Sequence, residues 1–310
     1  MSGASDKPRL VIILGPTASG KSEMAVELAR KFDGEIVNAD SLQVYRGLDI
    51  GTAKPSREIR RQVPHHLIDL VEPDEPFSAA DFQGAARQAI DDIVRRGRKV
   101  FVVGGTGLYI KALVQGLVDS PSGAGEVRQE LEAMARRVGK EEMLRRLAEV
   151  DPASAARLHP NDQVRIIRAL ESHRLTGRPI SVDRSAHGFS ESVYHALKLG
   201  IKVEREELYR RIDLRVEKML GEGLVEEVQS LLARGLTPDL KALRSIGYKE
   251  VCAFLAGDCD LTEATRLMKR DTRHYAKRQL TWFKRDNEIN WVDYPDSFAT
   301  ICNHVMEFYG

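Results

Sequence analysis

The sequence predicts an α/β fold of the P-loop NTPase-like type, in which helices flank a parallel sheet and an all-helical domain is inserted. Residues 8–114 alternate strand-like apolar runs with helical patterns, which is typical of a parallel sheet covered on both faces. A glycine-rich octapeptide follows the first apolar run. From residue 126 to 176 the pattern is helical and highly charged, with no strand pattern inside it.

The individual elements follow from apolar periodicity and from Gly, Pro and Asp between the runs. The expected strands are 10–14, 35–38, 66–70, 99–103 and 194–203. The expected helices are 21–32, 79–96, 108–114, 205–222, 225–234, 245–256 and 262–284. The composition of 120–125 (Ser, Pro, Gly, Ala) is typical of a linker. We therefore expect a first core segment at 1–119, a helical domain at 120–190 and a second core segment at 191–310.

Composition and charge indicate a soluble globular protein of the cytoplasm. Hydrophobic residues make up 42% of the 310 residues and charged residues 30%. No run of 18 apolar residues is present, and the first residues lack the apolar region of a secretory signal. Cys252, Cys259 and Cys302 are odd in number and lack metal-ligand spacing, so we expect reduced thiols.

The octapeptide matches G-x-x-x-x-G-K-[ST] at every position and predicts a phosphate-binding loop. It consists of Gly15, Pro16, Thr17, Ala18, Ser19, Gly20, Lys21 and Ser22. Backbone N–H groups of such a loop, together with the positive end of the following helix, bind polyphosphates. Lys21 is expected to neutralise phosphate charge, and the Ser22 hydroxyl to ligate Mg²⁺. The motif does not identify whose phosphate is bound.

Asp40 follows the second expected strand and should lie beside this loop. Three functions fit a carboxylate there: general base, indirect magnesium ligand or substrate clamp. A purely structural function, capping the next segment, is the alternative. The position at a carboxyl-terminal strand end favours a functional residue.

A second glycine-rich segment, Gly104-Gly105-Thr106-Gly107, follows the apolar strand 99–103. Its glycines suit either close approach of a ligand or a tight strand-to-helix turn, and the segment alone does not decide. No Asp follows this strand, so the usual metal carboxylate of ATP hydrolysis is missing. Asp69, at the end of another apolar run, is a weak substitute.

The segment 266–285 is strongly cationic, with eight Lys or Arg residues and only Asp271 as an acid, whereas the rest of the chain is net negative. Its helical spacing predicts one basic stripe, formed by Arg266, Arg270, Arg273, Lys277 and Lys284. Tyr275, Trp282 and Phe283 interleave with it, as expected where bases stack on aromatic rings. A solvated helix face is the alternative. A second basic set, in the helical block, comprises Arg165, Arg168, Arg174 and Arg178.

In order along nearly the whole chain, these segments resemble the bacterial tRNA dimethylallyltransferases, also called tRNA isopentenyltransferases. The resemblance is carried by GPTASGKS at 15–22, DSLQVYRGLDIGTAKPS at 40–56, PHHLID at 64–69, FSAADF at 77–82, GGTGLYIKAL at 104–113, RIIRALE at 165–171, SIGYKE at 245–250 and KRQLTWFKR at 277–285.

The resemblance implies transfer of a dimethylallyl group from dimethylallyl diphosphate to N6 of adenine-37 of tRNA, with release of diphosphate. It implies Mg²⁺ as the cofactor and the anticodon stem-loop of tRNA as the partner, held by the helical insertion. The resemblance implies no interaction with a membrane. We expect the protein to be a monomer. The phosphate loop would then hold a diphosphate leaving group, which agrees with the missing metal carboxylate.

The resemblance also assigns residues. It implies Asp40 as the general base, with Thr17 and Lys21 as further catalytic residues. The diphosphate-binding residues are those of the loop 15–22 together with Arg211 and Arg215. The residues expected to contact tRNA are Asp40, Ser41, Leu42, Gln43, Thr106, Arg128, Val164, Arg165, Arg168, Arg244, Lys277 and Arg278. Family members often carry Gln where this chain has Val164, which puts a contact from that position in doubt.

Two other functions fit parts of the sequence. A P-loop kinase of a small molecule or nucleotide explains residues 8–114 equally well, but not the cationic helix or the basic insertion. A nucleic-acid-binding ATPase explains the basic stripe, but gives no function to DIGTAKP, GGTGLY or the absent metal carboxylate.

Overall fold

A computed structural model describes residues 7–117, 125–182 and 193–310, which fall into two compact units. The first unit combines Met1–Val114 with Val193–Gly310, and the second is Gln115–Ser192. The linker predicted at 120–125, apart from Gly125, and the domain ends predicted at 119/120 and 190/191 lie outside the described residues.

The first unit contains a six-stranded, fully parallel sheet in the order β3-β2-β4-β1-β5-β6. Its strands are β1 (Arg9–Leu14), β2 (Gly34–Asn38), β3 (His65–His66), β4 (Lys99–Gly104), β5 (His195–Lys202) and β6 (Ile289–Asp293). A parallel sheet brings the carboxyl ends of all strands to one edge, where ligands bind in such folds. The predicted fold class is confirmed.

Helices cover both faces of this sheet. Those of the first unit are α1 (Lys21–Lys31), α2 (Arg57–Gln62), α3 (Ala79–Arg95), α4 (Gly107–Gln115), α9 (Arg205–Gly221), α10 (Leu224–Ala233), α11 (Tyr248–Ala256), α12 (Leu261–Phe283) and α13 (Phe298–Tyr309). Those of the second unit are α5 (Gly125–Val138), α6 (Lys140–Val150), α7 (Pro152–Ala155) and α8 (Gln163–Thr176). No helix in the described part of the chain combines the length and apolar composition needed to cross a bilayer.

The central strand β1 is buried on both faces, because its side chains alternate between two hydrophobic cores. Leu10, Ile12 and Leu14 pack into the core beneath α3, α4, α10 and α12. Val11 and Ile13 pack into the other core with α1 and α13. This burial explains why the strand reads as a continuous apolar run.

Two expectations about strands were wrong. The strand expected at 66–70 is only His65–His66, because Leu67 and Asp69 adopt positive φ angles of 64° and 57°, which end the extended chain. The segment after 194–203 was expected to be helical throughout, but β6 adds a strand parallel to β5. The sequence pattern also missed α2 and α13.

The second unit is helical in all its described secondary structure. It has its own core, in which Leu131 of α5 and Met143 and Leu147 of α6 meet Ile166 and Ile167 of α8. Asp151 caps α7 by accepting a hydrogen bond from the Ser154 amide at 3.0 Å.

Candidate active site

The phosphate loop joins β1 to α1 at the carboxyl edge of the sheet. Gly20 forms the N-cap of α1 with φ 93°, a conformation that side chains rarely adopt, and Ala18 also has a positive φ of 63°. This backbone leads directly into Lys21 and Ser22, the first residues of α1. The local structure is therefore the strand, turn and helix N-terminus that a polyphosphate site requires.

The loop opens into a cavity of about 490 Å³ that lies wholly within the first unit. Ten residues predicted for the site line it: Thr17, Lys21, Ser22, Asp40, Ser41, Leu42, Gln43, Arg215, Arg244 and Arg278. Four further lining residues are apolar and buried: Ile212, Val216, Met219 and Met268. The cavity therefore joins a cationic end to an apolar wall.

Lys21 and Arg215 form the cationic end, and both side chains are half-buried. The Lys21 ammonium donates to the Pro16 carbonyl oxygen at 3.2 Å. Burial and then the charge of Arg215 lower the pKa of Lys21 to about 8, while Asp40 acts in the opposite direction. Burial also lowers the pKa of Arg215, which forms no ion pair within the described residues. Two poorly solvated cations beside one carboxylate make an environment that an anion would stabilise.

Asp40 lies two residues beyond the end of β2 and lines the cavity. Its Oδ1 accepts hydrogen bonds from the amides of Leu42 at 2.9 Å and Gln43 at 3.4 Å. Its Oδ2 has no hydrogen-bond partner within the described residues. The capping and functional interpretations are thus compatible, because one oxygen holds the turn and the other remains for a ligand.

Thr106 lies beside this turn. Its Oγ1 accepts a hydrogen bond from the Ser41 amide at 3.2 Å, and its own amide donates to Ala39 at 3.4 Å. The ends of β2 and β4 are therefore joined next to Asp40, although Thr106 is not itself part of the cavity lining.

The glycines after β4 allow close packing within the protein. A Cβ at Gly104 would collide with the carbonyl of Ala39, and one at Gly105 or Gly107 would collide with a side chain of α12. These contacts favour the structural interpretation for Gly105 and Gly107, whereas Gly104 also lines the cavity, so both interpretations stay open there.

One of those α12 side chains is Gln279, which sequence reasoning missed. Its carboxamide is buried and bridges the phosphate loop and the segment after β4, accepting from the Thr17 amide and donating to the Gly105 carbonyl, both at 2.9 Å. The motif KRQLTWFKR contains this residue, but the charged and aromatic pattern of that motif does not indicate a buried carboxamide.

A second missed residue is Glu227 of α10, which holds the DIGT segment. Its carboxylate accepts hydrogen bonds from the amides of Asp49, Ile50 and Gly51 at 3.0, 2.7 and 3.2 Å and from the Tyr248 hydroxyl at 2.6 Å. Gly51 and its next two neighbours line the cavity. The DIGT segment is thus a fixed wall of the site.

Gln43 holds the same wall from the cavity side. Its Nε2 donates to the carbonyl oxygens of Thr52 at 3.0 Å and Ala53 at 3.3 Å. The following Lys54 is buried between Asp49 at 2.8 Å and Asp69 at 2.6 Å. Because Asp69 is paired in this way, it does not provide the metal carboxylate that the sequence lacked after β4.

The basic stripe of α12 is divided between paired and unpaired cations. Arg266 and Arg273 pair with Glu263 and Asp213. Lys277 and Arg278 are exposed and form no ion pair within the described residues, and Arg278 lines the cavity. The solvated-face interpretation therefore suits the first half of α12, and the second half keeps free cations.

The aromatic residues of α12 also differ from expectation. Phe283 is buried in the core at 3% exposure, so base stacking was a wrong interpretation for it. Trp282 packs against Gly107, whereas Tyr275 lines the cavity. Arg211 is absent from the cavity lining, and its Nε donates to Glu207 at 2.7 Å, so its contact with diphosphate stays a prediction.

In the second unit, Arg128 and Arg168 converge on Glu171, a carboxylate buried in α8, at 3.9 and 2.8 Å. Arg165 pairs with Asp162 at 3.1 Å, and Val164 is 69% exposed. The four residues expected to contact tRNA here all lie in α5 or α8, and their contacts stay predictions.

A magnesium site made by the protein alone is not found, since no group of three His, Cys, Asp or Glu side chains converges within the described residues. Mg²⁺ binds readily through one or two protein oxygens plus substrate phosphates. The exposed Ser22 at the start of α1 and the free oxygen of Asp40 are donors of that kind. The residues present fit a metal ion that arrives with a diphosphate.

Comparison with known proteins gives one consistent family. The family model described as IPP transferase matches residues 43–286. A tRNA dimethylallyltransferase 2 of Geotalea uraniireducens is 67% identical over 309 residues, covering 100% of both chains.

Solved structures agree. A full-length tRNA isopentenylpyrophosphate transferase of Bacillus halodurans superposes with a TM-score of 0.71 at 41% identity, covering 97% of each chain. A eukaryotic dimethylallyltransferase acting on tRNA superposes with a TM-score of 0.80 at 31% identity, covering 92% of this chain and 74% of that one. The chain therefore belongs to the IPP transferase family, whose named members here are tRNA dimethylallyltransferases.

Proposed function

We propose that this chain transfers the dimethylallyl group of dimethylallyl diphosphate to N6 of adenine-37, next to the anticodon of tRNA. One observation carries the proposal: a single cavity combines a phosphate loop and two half-buried cations with an apolar wall and the carboxylate of Asp40. A prenyl diphosphate needs the cationic end and the apolar wall, and an amine nucleophile needs the carboxylate.

The donor would bind along α9. Ile212, Arg215, Val216 and Met219 recur at three, four and seven residues, so they share one helix face, and all four line the cavity. A diphosphate held by Lys21, Arg215 and the amides of the phosphate loop would extend its prenyl chain over this apolar face. Stabilising the departing diphosphate charge is the main catalytic task, since an allylic carbon tolerates developing positive charge.

The acceptor would be an adenine turned out of its stack, as the reaction at N6 requires. The exocyclic amine is a poor nucleophile, because its lone pair is delocalised into the ring. As the new N–C bond forms and the C–O bond to diphosphate breaks, the amine proton would pass to Oδ2 of Asp40. Ser41, Leu42 and Gln43 line the cavity beside it and suit the walls of a base pocket.

Mg²⁺ bound to the diphosphate would neutralise part of the leaving-group charge. Ser22 is the protein oxygen proposed to hold it, and Asp40, which lines the same cavity, is proposed to act on it through water. Thr17, whose amide is held by Gln279, is proposed to contact the diphosphate through its side chain.

For tRNA, the exposed cations Arg244, Lys277 and Arg278 of the first unit would contact the phosphate backbone, as would Arg128, Arg165 and Arg168 of the second. We propose that the protein acts as a monomer. Because tRNA is the proposed substrate, we propose that the protein acts in the cytoplasm.

The test is to incubate the purified protein with dimethylallyl diphosphate, Mg²⁺ and unmodified tRNA, and to analyse the digested nucleosides by mass spectrometry. We expect N6-(dimethylallyl)adenosine in the RNA. ATP turnover with a small acceptor, and no prenylated nucleoside, would instead support the kinase alternative.

A further inference from the structure

We infer that Gln279 is a positioning residue that sets the distance between the diphosphate donor and the general base. The inference rests on the proposed function. Gln279 lies on α12, is 6% exposed, and touches two loops that are 262 and 174 residues away in sequence.

The carboxamide of Gln279 uses both of its ends. Its Oε1 accepts the hydrogen bond of the Thr17 amide in the phosphate loop, and its Nε2 donates to the carbonyl of Gly105 after β4, each at 2.9 Å. Only a side chain with an acceptor and a donor at the same depth can satisfy both backbone groups. Removing either hydrogen bond leaves a polar backbone group unsatisfied beside a buried side chain.

The same helix holds the second loop at two further points. The Trp282 ring occupies the space where Gly107 lacks a side chain, and the Tyr275 hydroxyl lies beside the Thr106 hydroxyl and the Gln279 side chain. Thus α12 contacts each residue of the segment Gly105–Gly107, and Gln279 makes its one described hydrogen bond with the phosphate loop.

From Gly105 the contacts continue to the general base. The next residue, Thr106, accepts the Ser41 amide at 3.2 Å, and Ser41 is adjacent to Asp40. On the other side, Thr17 lies four residues before Lys21. Besides the pairing of β4 with β2 and β1 in the sheet, one buried side chain therefore links the turn that holds the proton acceptor to the loop that holds the leaving charge.

This arrangement matters because transfer needs the reacting carbon, the amine and the carboxylate in one alignment. A misplacement of about 1 Å can reduce a rate about 100-fold without weakening substrate binding. We therefore expect loss of Gln279 to lower kcat much more than it raises KM for either substrate. A second consequence is uncoupling: diphosphate leaves while water, in place of tRNA, captures the prenyl group.

The experiment compares Gln279→Met and Gln279→Glu with wild type and with Gln229→Met, which changes an exposed Gln on α10. Met keeps the length but makes neither bond. Ionised Glu accepts from Thr17 and cannot donate to Gly105, whereas protonated Glu can do both. We measure kcat, KM for both substrates and the ratio of diphosphate released to label in RNA.

We expect Gln279→Met to lower kcat by about 100-fold, with KM changed less than about threefold and the diphosphate-to-label ratio above that of wild type. For Gln279→Glu, the activity relative to wild type should rise as pH falls and its carboxyl gains a proton. Gln229→Met should match wild type.

The inference is overturned if wild type prenylates tRNA and both Gln279 variants do so with wild-type kcat and ratio. It is also overturned if two results occur together: the activity of Gln279→Glu relative to wild type is equally low at every pH, and neither variant releases more diphosphate per labelled RNA than wild type. Failure of the wild-type protein to prenylate tRNA at all would instead refute the proposed function.

Discussion

Lys21 and Arg215 line one cavity as neighbouring cations, and burial followed by the Arg215 charge lowers the pKa of Lys21 to about 8. Neither forms an ion pair within the described residues. In the free protein burial therefore lowers the pKa of both side chains, and a bound diphosphate would favour the charged form of Lys21. The sequence motif predicts that Lys21 contacts phosphate. Because burial and the charge of Arg215 lower the pKa of Lys21, we expect its protonation state to depend on whether diphosphate is bound.

The first prediction is proton uptake on donor binding. Above pH 8 the free protein has Lys21 largely neutral, while the complex favours its charged form, so binding must take up a proton. Between about pH 8 and 10 the affinity for dimethylallyl diphosphate should fall with rising pH, by up to tenfold per unit.

Calorimetry without tRNA, in two buffers of different ionisation enthalpy, measures this uptake. Lys21→Arg is the matched control, because arginine stays protonated throughout the range and should bind without taking up a proton. Equal heats for the wild-type protein in both buffers at pH 9 would contradict the assignment.

A second prediction concerns Asp40→Asn. The amide oxygen can still accept from Leu42 and Gln43, so the turn should persist, but the side chain no longer accepts a proton. We expect the transfer rate to fall by about 10²- to 10⁴-fold with little change in tRNA affinity. Asp74→Asn, at an exposed turn, is the control. Rapid-quench kinetics measures the rate, and near-normal turnover of the Asp40 variant would rule out a general base there.

Donor length provides a third prediction. Met219 lies one helical turn beyond Arg215 on the cavity face of α9, a rise of about 6 Å, which suits the end of a five-carbon chain. Met219→Ala should enlarge the apolar end, and we expect the kcat/KM for geranyl diphosphate relative to dimethylallyl diphosphate to rise about tenfold or more. Met306→Ala, at an exposed position, should leave the ratio unchanged. An unchanged ratio in the Met219 variant would place the prenyl chain elsewhere.

A fourth prediction tests the free cations of α12. Charge reversal at Lys277 and Arg278 should weaken tRNA binding. It should also reduce the steepness with which the logarithm of the binding constant falls with the logarithm of salt concentration, by about one for each phosphate that these cations neutralise in the wild-type complex. The control is Arg95→Glu, at a side chain that is 73% exposed on α3. Binding titrations from low to moderate salt measure the slope. If both variants keep the wild-type slope, the second half of α12 is only a solvated face.

The sequence predicted those site residues whose position is set by the neighbouring strand, and missed those whose partners are distant in sequence. The phosphate loop and Asp40 follow apolar strands, so their place at the carboxyl edge of the sheet could be read from order alone. Gln279 and Glu227 could not, because each holds backbone groups that are more than 170 residues away in sequence. No local pattern indicates which distant amide a buried side chain will bind.

The errors in the fold have a similar origin. The run around His66 is apolar enough for a strand, but positive φ angles at Leu67 and Asp69 end it after two residues. The last strand, Ile289–Asp293, alternates weakly and is largely exposed, and its pairing with β5 decides its conformation. Counting charges along α12 also overestimated the number of unpaired cations in the basic stripe. Some of the acids that pair with its first half lie on another helix: Arg273, for example, pairs with Asp213 of α9.

The most direct measurement of the central claim uses labelled dimethylallyl diphosphate with two tRNAs that differ only in having adenine or guanine at position 37. The account predicts label in the adenine-37 tRNA alone, with one diphosphate released for each prenyl group transferred. Absence of label from the adenine-37 tRNA, with folded protein and Mg²⁺ present, would contradict it, as would equal labelling of both tRNAs.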